Sequence, residues 1–242
     1  GLIGEGRMEE PDSIIRFIEE DISSKLPLKG KKILITAGPT HEPIDPVRFI
    51  GNYSSGKMGI ALANVASRMG GKVSLVLGPS SIKIPNNINV YNVNKASEMF
   101  EETSKIFSDC DIAIFSAAVA DYTPSKTYNK KLKKSVDTLD IQLKRTKDIL
   151  AEMSNKRSKN QFIVGFALET ENELKNAKLK LKNKKIDMIV LNSLKDPGAG
   201  FQETTNKITI IDKQNNIYNF ELKDKEKVAE DIIYKILEKY DC

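Results

Sequence analysis

The stretch of this 242-residue chain best suited to chemistry is Gly51-Asn52-Tyr53-Ser54-Ser55-Gly56-Lys57-Met58. It satisfies G-x-x-x-x-G-K but lacks the closing hydroxyl residue, and a P-loop must leave its strand directly. Here the nearest apolar strand ends at Thr36, well before Gly51. The surviving reading is more general. Ser54, Ser55 and Gly56 open a helix whose first N–H groups can receive an anion, unless Ser54 or Ser55 is simply its N-cap. Asn52 stands beside this helix start. Its neutral amide could stabilise negative charge developing on a carbonyl or phosphoryl group, or it could be a turn residue.

A second candidate segment is Ala117-Ala118-Val119-Ala120-Asp121 followed by Lys130, Lys131, Lys133 and Lys134. Small side chains let a flat base or a sugar approach the backbone. Asp121 offers a carboxylate to a ribose hydroxyl or a magnesium ion, or acts as a cap. The lysine run is either a solvated loop or a phosphate-binding one, and its position beyond an apolar strand favours phosphate. Lys180 and Lys184, four apart, share one helix face, where they meet either solvent or a triphosphate. Phe166, closing a strand, either stacks on a base or plugs the core. His41 is the only histidine, which argues against a zinc site, and a structural role for it outweighs a general-base role.

These residues must be held by an α/β frame. Apolar strands are expected at Lys32–Thr36, Val73–Leu77, Val90–Val93, Asp111–Ser116, Phe162–Phe166 and Met188–Leu191. An alternating strand is expected at Leu139–Leu143, and a hairpin at Lys207–Ile211 and Ile217–Leu222. Helices are expected at about 8–24, 54–69, 96–107, 147–153 and 171–185, and at the C-terminus. Strands alternating with helices imply a Rossmann-like, mostly parallel sheet with helices on both faces and an antiparallel hairpin extension. Two excursions, 37–52 and 122–137, leave the frame. Ligands of such sheets bind beyond the carboxyl ends of the strands, which is where the candidate residues fall.

Composition narrows the partners. Hydrophobic residues make up 40% and charged residues 29%, which excludes a disordered tail. No run approaches the ~18 apolar residues needed to span a bilayer. Two cysteines, Cys110 and Cys242, form no disulfide framework, so a reducing cytoplasm is expected. The net charge of +5 suits nucleic acid, a membrane surface or a nucleotide. The lysine runs lack interleaved aromatics, which disfavours RNA. No G-x-G-x-x-G follows the first strand, which disfavours a dinucleotide oxidoreductase. The chain opens without an initiator Met, so it is expected to be a processed chain or part of a longer one.

In order, Ile35-Thr36-Ala37-Gly38-Pro39-Thr40, Asp45-Pro46-Val47-Arg48, Asn52 to Gly59, Ala117 to Tyr122, Lys131-Leu132-Lys133-Lys134 and Gly165 to Thr170 resemble bacterial phosphopantothenoylcysteine synthetase. That enzyme is the ligase half of the bifunctional coenzyme A biosynthesis protein. The resemblance covers roughly residues 30–240. It implies a ligase domain over 30–242. Residues 1–29 would be a linker and helix left from a preceding flavin-dependent decarboxylase domain, whose end the Gly6-Arg7-Met8 opening resembles.

The implied reaction has two steps. The 4′-phosphopantothenate carboxylate attacks the α-phosphate of CTP, and cysteine then attacks the acyl-cytidylate. An ATP-dependent version is the alternative. By the same resemblance, Asn52 and Lys131 are catalytic, Lys131 lying on a mobile flap. Gly38, Ser54, Ser55 and Gly56 receive phosphate groups. Ala117 and Ala118 read the base, and Asp121 contacts the nucleotide. Lys147, Asp148, Ile149, Leu150, Phe166, Lys180 and Lys184 match further nucleotide positions, with Lys147 standing where the family often has proline. The resemblance also implies magnesium accompanying the nucleotide, with unspecified ligands, and a homodimer with its site near the subunit interface.

Overall fold

The computed structural model describes residues 8–133, 138–193, 198, 200 and 203–240. Lys134, Cys242 and the Gly6-Arg7 opening lie outside the described residues. Helix α1 (Pro11–Ser24) precedes β1 (Lys32–Ala37), the short strands β2 (His41–Pro43) and β3 (Phe49–Gly51), and α2 (Lys57–Arg68). Then come β4 (Lys72–Leu77), β5 (Asn89–Asn92), α3 (Ala96–Phe107), β6 (Ile112–Phe115) and β7 (Tyr122–Pro124). They are followed by β8 (Leu143–Arg145), α4 (Ile149–Asn155), β9 (Phe162–Glu169), α5 (Glu173–Asn183) and β10 (Met188–Ser193). The chain closes with β11 (Thr205–Asn206), β12 (Ile208–Asp212), β13 (Ile217–Asn219), β14 (Lys223–Asp224) and α6 (Lys225–Tyr240).

Eight strands form the central sheet in the order β13-β12-β10-β9-β6-β1-β4-β5. From β5 to β10 every pairing is parallel. β12 and β13 add antiparallel at the edge. Alternation along each strand divides the core between two faces. Ile33, Ile35, Ile112, Ile114, Val164 and Val190 join Leu62 and Val65 of α2 and Ile232 of α6. Leu34, Ala113, Ile163 and Ile189 join Met99 of α3, Met153 of α4 and Leu181 of α5. Each fully buried Leu, Ile, Val or Met side chain among them contributes ~1.5–3 kcal/mol.

Helices thus cover both faces, as the alternation of elements requires, but the excursions carry more order than their sequences suggest. Segment 37–52 folds into the β2–β3 hairpin, with His41 opposite Gly51. The strand expected at Leu139–Leu143 instead spans Leu143–Arg145 and pairs with β7. Residues 138–140 are exposed, so the alternation of 139–143 has no core face to fill. The second hairpin strand stops at Asn219 rather than Leu222, because Lys223 and Asp224 pair with Asn206 and Thr205 in a separate ribbon. Helix α1 forms as its period predicts, but none of its residues is buried, and Ile15, Phe17, Ile18 and Ile22 are exposed.

Candidate functional site

β1 lies between β4 and β6, so consecutive strands depart from it in opposite directions. This is the topological switch point, where open α/β sheets bind ligands. Two loops meet there. The Ala118 N–H donates to the Gly38 carbonyl at 2.9 Å, and the Ala120 N–H donates to Thr40 Oγ1 at 3.0 Å. Helix α2 begins directly on these strand ends. A Cβ on Gly59 would lie 2.4 Å from the Ala37 Cβ and 2.5 Å from the Ser116 Oγ. Gly56 turns the chain at φ +80°, and a Cβ there would approach the Gly38 Cα at 3.3 Å.

Gly56 is also the N-cap of α2, a residue with no side chain to cap the helix. Neither Ser54 nor Ser55 takes the N-cap position, because the left-handed glycine occupies it. Ser54 Oγ accepts the Gly56 N–H at 3.3 Å, and the Ser55 carbonyl accepts from Ser80 Oγ at 3.0 Å. The positive end of the helix therefore borders the crevice. The intervening hairpin removes the P-loop reading: β1 ends at Ala37, and the glycine-lysine turn comes only after β3.

Asn52 extends from the end of β3 to the β6 loop. Its Nδ2 donates to the carbonyls of Ala118 at 2.9 Å and Val119 at 3.3 Å. Its amide protons thus brace the small-residue loop, and donation to a substrate requires one of these bonds to be exchanged.

Two cavities adjoin at this point. One, of about 370 Å³, is bordered by Asn52, Ser54, Gly56, Lys57, Gly59 and Ala118, among others. The other, of about 530 Å³, is bordered by Thr146, Lys147, Asp148, Ile149 and Leu150, among others. Ala117, Val119, Asp121, Phe166 and Lys180 line both. Phe166 packs against the core and also lines both cavities. The Lys180 ammonium donates to the Phe166 carbonyl at 2.8 Å. Burial lowers the Lys180 pKa, with Asp148, Glu169 and Asp121 opposing that shift. Lys184 pairs with Asp148, whose other oxygen caps α4 by accepting the Ala151 N–H at 2.9 Å. Burial works against ionised Asp148, but these partners hold its carboxyl below the usual range.

The structure thus brings together Asn52, Ser54, Gly56, Ala117, Ala118, Asp121, Lys147 to Leu150, Phe166 and Lys180, with Lys184 behind Asp148. Gly38 backs Gly56 rather than lining a cavity, and Ser55 turns its carbonyl toward Ser80. Lys131 is exposed and lies on neither cavity wall. The Lys147 ammonium sits over the Phe100 ring at 4.3 Å, held by cation–π attraction. His41 stacks on Phe49 with centroids 3.8 Å apart, and burial lowers its pKa; both fit a structural role. Cys110 is buried, donates to the Phe107 carbonyl, and has its thiol pushed up to about 12 by burial and Asp111.

Residues 28–240 match the model of the DNA/pantothenate metabolism flavoprotein C-terminal domain. The chain belongs to this family. A cysteine/cysteine sulfinic acid decarboxylase from an unknown prokaryotic organism is 57% identical over 98% of this chain and 67% of its own length. The coenzyme A biosynthesis bifunctional protein CoaBC of Bacillus subtilis is 41% identical over 98% of this chain. The chain spans 59% of that relative's length. Among solved structures, the C-terminal domain of a CoaBC protein is 38% identical, with a TM-score of 0.76 over 88% of this chain and 97% of that one.

Within this family domain, some polar wall residues are not evident from the sequence. Asn192, Asn206 and Lys225 border the smaller cavity. Lys225 is 7% exposed and donates to the carbonyls of Gly200 at 2.8 Å and Glu203 at 2.7 Å. Burial and then Lys57 lower its pKa to about 8. A lysine at the start of an amphipathic helix looks solvent-facing in sequence, but the segment ahead of β11, with the Gly200 and Glu203 carbonyls, encloses it. Among the described residues no group of three His, Cys, Asp or Glu side chains is arranged to hold a metal. Among the described residues no helix is long and apolar enough to cross a membrane.

Proposed function

We propose that this chain ligates 4′-phosphopantothenate to L-cysteine, using CTP to activate the acid. The observation carrying this reading is the pair of joined cavities. One is bounded by the α2 N-terminus and Asn52, the other by Asp148 and Ile149, and Asp121, Phe166 and Lys180 stand between them. Such a site can hold a nucleotide beside an anionic acid and screen their repulsion.

In the first step a carboxylate oxygen of the acid bonds to the α-phosphorus, and the bond to pyrophosphate breaks. In the second, the cysteine amine bonds to the acyl carbon, CMP leaves, and the amine loses a proton. Both steps need charge screening and alignment more than a nucleophilic side chain. That suits a site whose walls offer lysines, amides and a helix end, and a chain whose Cys110 is buried and inert. Magnesium bound mainly by phosphate oxygens needs few protein ligands. Asp121, facing both cavities, is the carboxylate that would meet it there, where the ion would neutralise triphosphate charge. The homodimer, and the association with a decarboxylase domain suggested by the longer relatives, are part of the same proposal.

The test is incubation with CTP, magnesium, 4′-phosphopantothenate and cysteine. Equimolar pyrophosphate, CMP and 4′-phosphopantothenoylcysteine are expected. A preference for ATP over CTP would replace the nucleotide assignment. Carbon dioxide from cysteine without nucleotide turnover would favour the activity in the name of the 57%-identical relative.

A further inference from the structure

The two excursions from the sheet are joined by one buried carboxylate. The Asp45 side chain is 0% exposed. Its Oδ1 accepts the N–H groups of Val47 and Arg48, both at 2.9 Å. Its Oδ2 accepts Arg48 Nε at 3.1 Å and the Leu132 N–H at 3.1 Å. The Arg48 guanidinium also donates to the Leu132 carbonyl at 3.1 Å. Both backbone polar groups of Leu132 are therefore held by the turn between β2 and β3. The seam continues upstream. The Tyr128 N–H donates to the Ile44 carbonyl at 2.9 Å, and Thr127 Oγ1 donates to the Pro43 carbonyl at 3.2 Å.

Segment 129–131 is polar and exposed, so apolar burial cannot fix its place. Hydrogen bonds to a buried ionised carboxylate can, because charge-assisted bonds are roughly twice as strong as neutral ones. The Arg48 guanidinium and three N–H groups keep the Asp45 carboxyl far below its ordinary range. The same hairpin ends at Gly51, next to Asn52. One hairpin thus anchors Asn52 at its base and the lysine segment at its turn.

We propose that Asp45 is a positioning residue: by gripping Leu132 it sets where the neighbouring Lys131 cation meets an incoming phosphate. The clause about phosphate rests on the ligase reading, whereas the grip itself does not. Asp45→Asn keeps the size of the side chain and removes its charge. Limited trypsin digestion should cut within Lys130-Lys131-Leu132-Lys133, read at the bond after Lys130, about tenfold faster in Asp45→Asn, with cleavage sites outside this segment unchanged. Leu132→Pro removes the N–H that Asp45 receives while also fixing φ at 132 and restricting Lys131, and it should give the same acceleration after Lys130 if Asp45→Asn fails to fold. In turnover, Asp45→Asn should slow pyrophosphate release about as much as Lys131→Gln. The double variant should be no slower than either single one, and Asp45→Glu should restore part of the rate. Unchanged cleavage after Lys130 in both Asp45→Asn and Leu132→Pro overturns the grip. Independent, multiplying effects of Asp45→Asn and Lys131→Gln overturn the positioning role. A wild-type protein that releases no pyrophosphate refutes the ligase reading, while the digestion still reports on the grip.

Discussion

The Asn52 side-chain amide donates to the Ala118 carbonyl across 2.9 Å, although 66 positions separate them. This bond fixes the small-residue loop against the end of the β2–β3 hairpin. It places an amide where the acid and the nucleotide would meet. Asn52→Asp replaces the donor by a carboxylate facing two carbonyl oxygens, which repel it. Overall product formation should fall ~10²–10³-fold, as for loss of a charge-stabilising donor. Pyrophosphate should still appear in a single burst as the acyl-cytidylate accumulates. Turnover equal to wild type would remove Asn52 from the site.

The frame was legible in sequence because buried parallel strands are runs such as Ile33-Leu34-Ile35, and β1, α2, β4, β5 and α3 fall close to their expected places, whereas the β2–β3 hairpin does not announce itself. The Gly-Lys-Met-Gly turn also revealed its glycines, which the contact between Gly59 and Ala37 explains. What stayed hidden depends on contacts distant in sequence. Asp45 looks like a turn residue until Leu132 arrives beside it. Lys225 looks like a surface lysine until Gly200 and Glu203 enclose it. The β7–β8 ribbon draws its register from Tyr122 facing Arg145, a pairing that the periodicity of 139–143 alone cannot indicate.

Lys180 tests the nucleotide cavity. Its ammonium is bound to the Phe166 carbonyl at 2.8 Å, so the cation stays at the cavity wall. Lys180→Met keeps the apolar stem and removes the charge. Nucleotide binding should weaken about tenfold, or ~1.4 kcal/mol. Calorimetric titration checks this, and an unchanged affinity would place the phosphates elsewhere.

Lys225 gives a pH signature of the opposite sign to an ordinary ion-paired lysine. Its pKa is lowered from 10.5 to about 8 in the folded chain. Between these values the unfolded chain binds more protons, so folding stability rises with pH there. The cost of keeping the buried cation is complete below pH 8 and fades toward 10.5, with a ceiling of roughly 3 kcal/mol. Wild type should therefore gain stability relative to Lys225→Met as pH rises from 7.5 to 9.5 in denaturant melts. A parallel pair of curves would show that the ammonium is not penalised by burial.

Cys110 should behave as a core residue. Its thiol, raised to about 12 by burial and Asp111, holds almost no thiolate near neutral pH. In a Cys242→Ser background, iodoacetamide at pH 8 should label Cys110 only after denaturation. Cys110→Ala should retain ligase turnover with a stability loss of ~1 kcal/mol for the small void. Rapid labelling of the folded protein would mean the thiol is accessible and the buried packing around Phe107 is wrong.

Gly59 links the fold to the chemistry most directly. A Cβ there would meet the Ala37 Cβ at 2.4 Å and the Ser116 Oγ at 2.5 Å, distances at which one partner must move. Ala37 is fully buried in β1, so the yielding element is α2. In an open helix, Gly→Ala stabilises by roughly 1 kcal/mol. Here overpacking should reverse the sign and destabilise by ~1–3 kcal/mol. Moving α2 outward also withdraws its N-terminal N–H groups from the crevice, so nucleotide affinity should fall together with stability. A control at Ala61 separates the two effects. It lies in the same helix but is only partly buried, so Ala61→Ser should leave affinity intact. If Gly59→Ala is stabilising, or weakens stability without changing nucleotide binding, the helix start does not meet the phosphates.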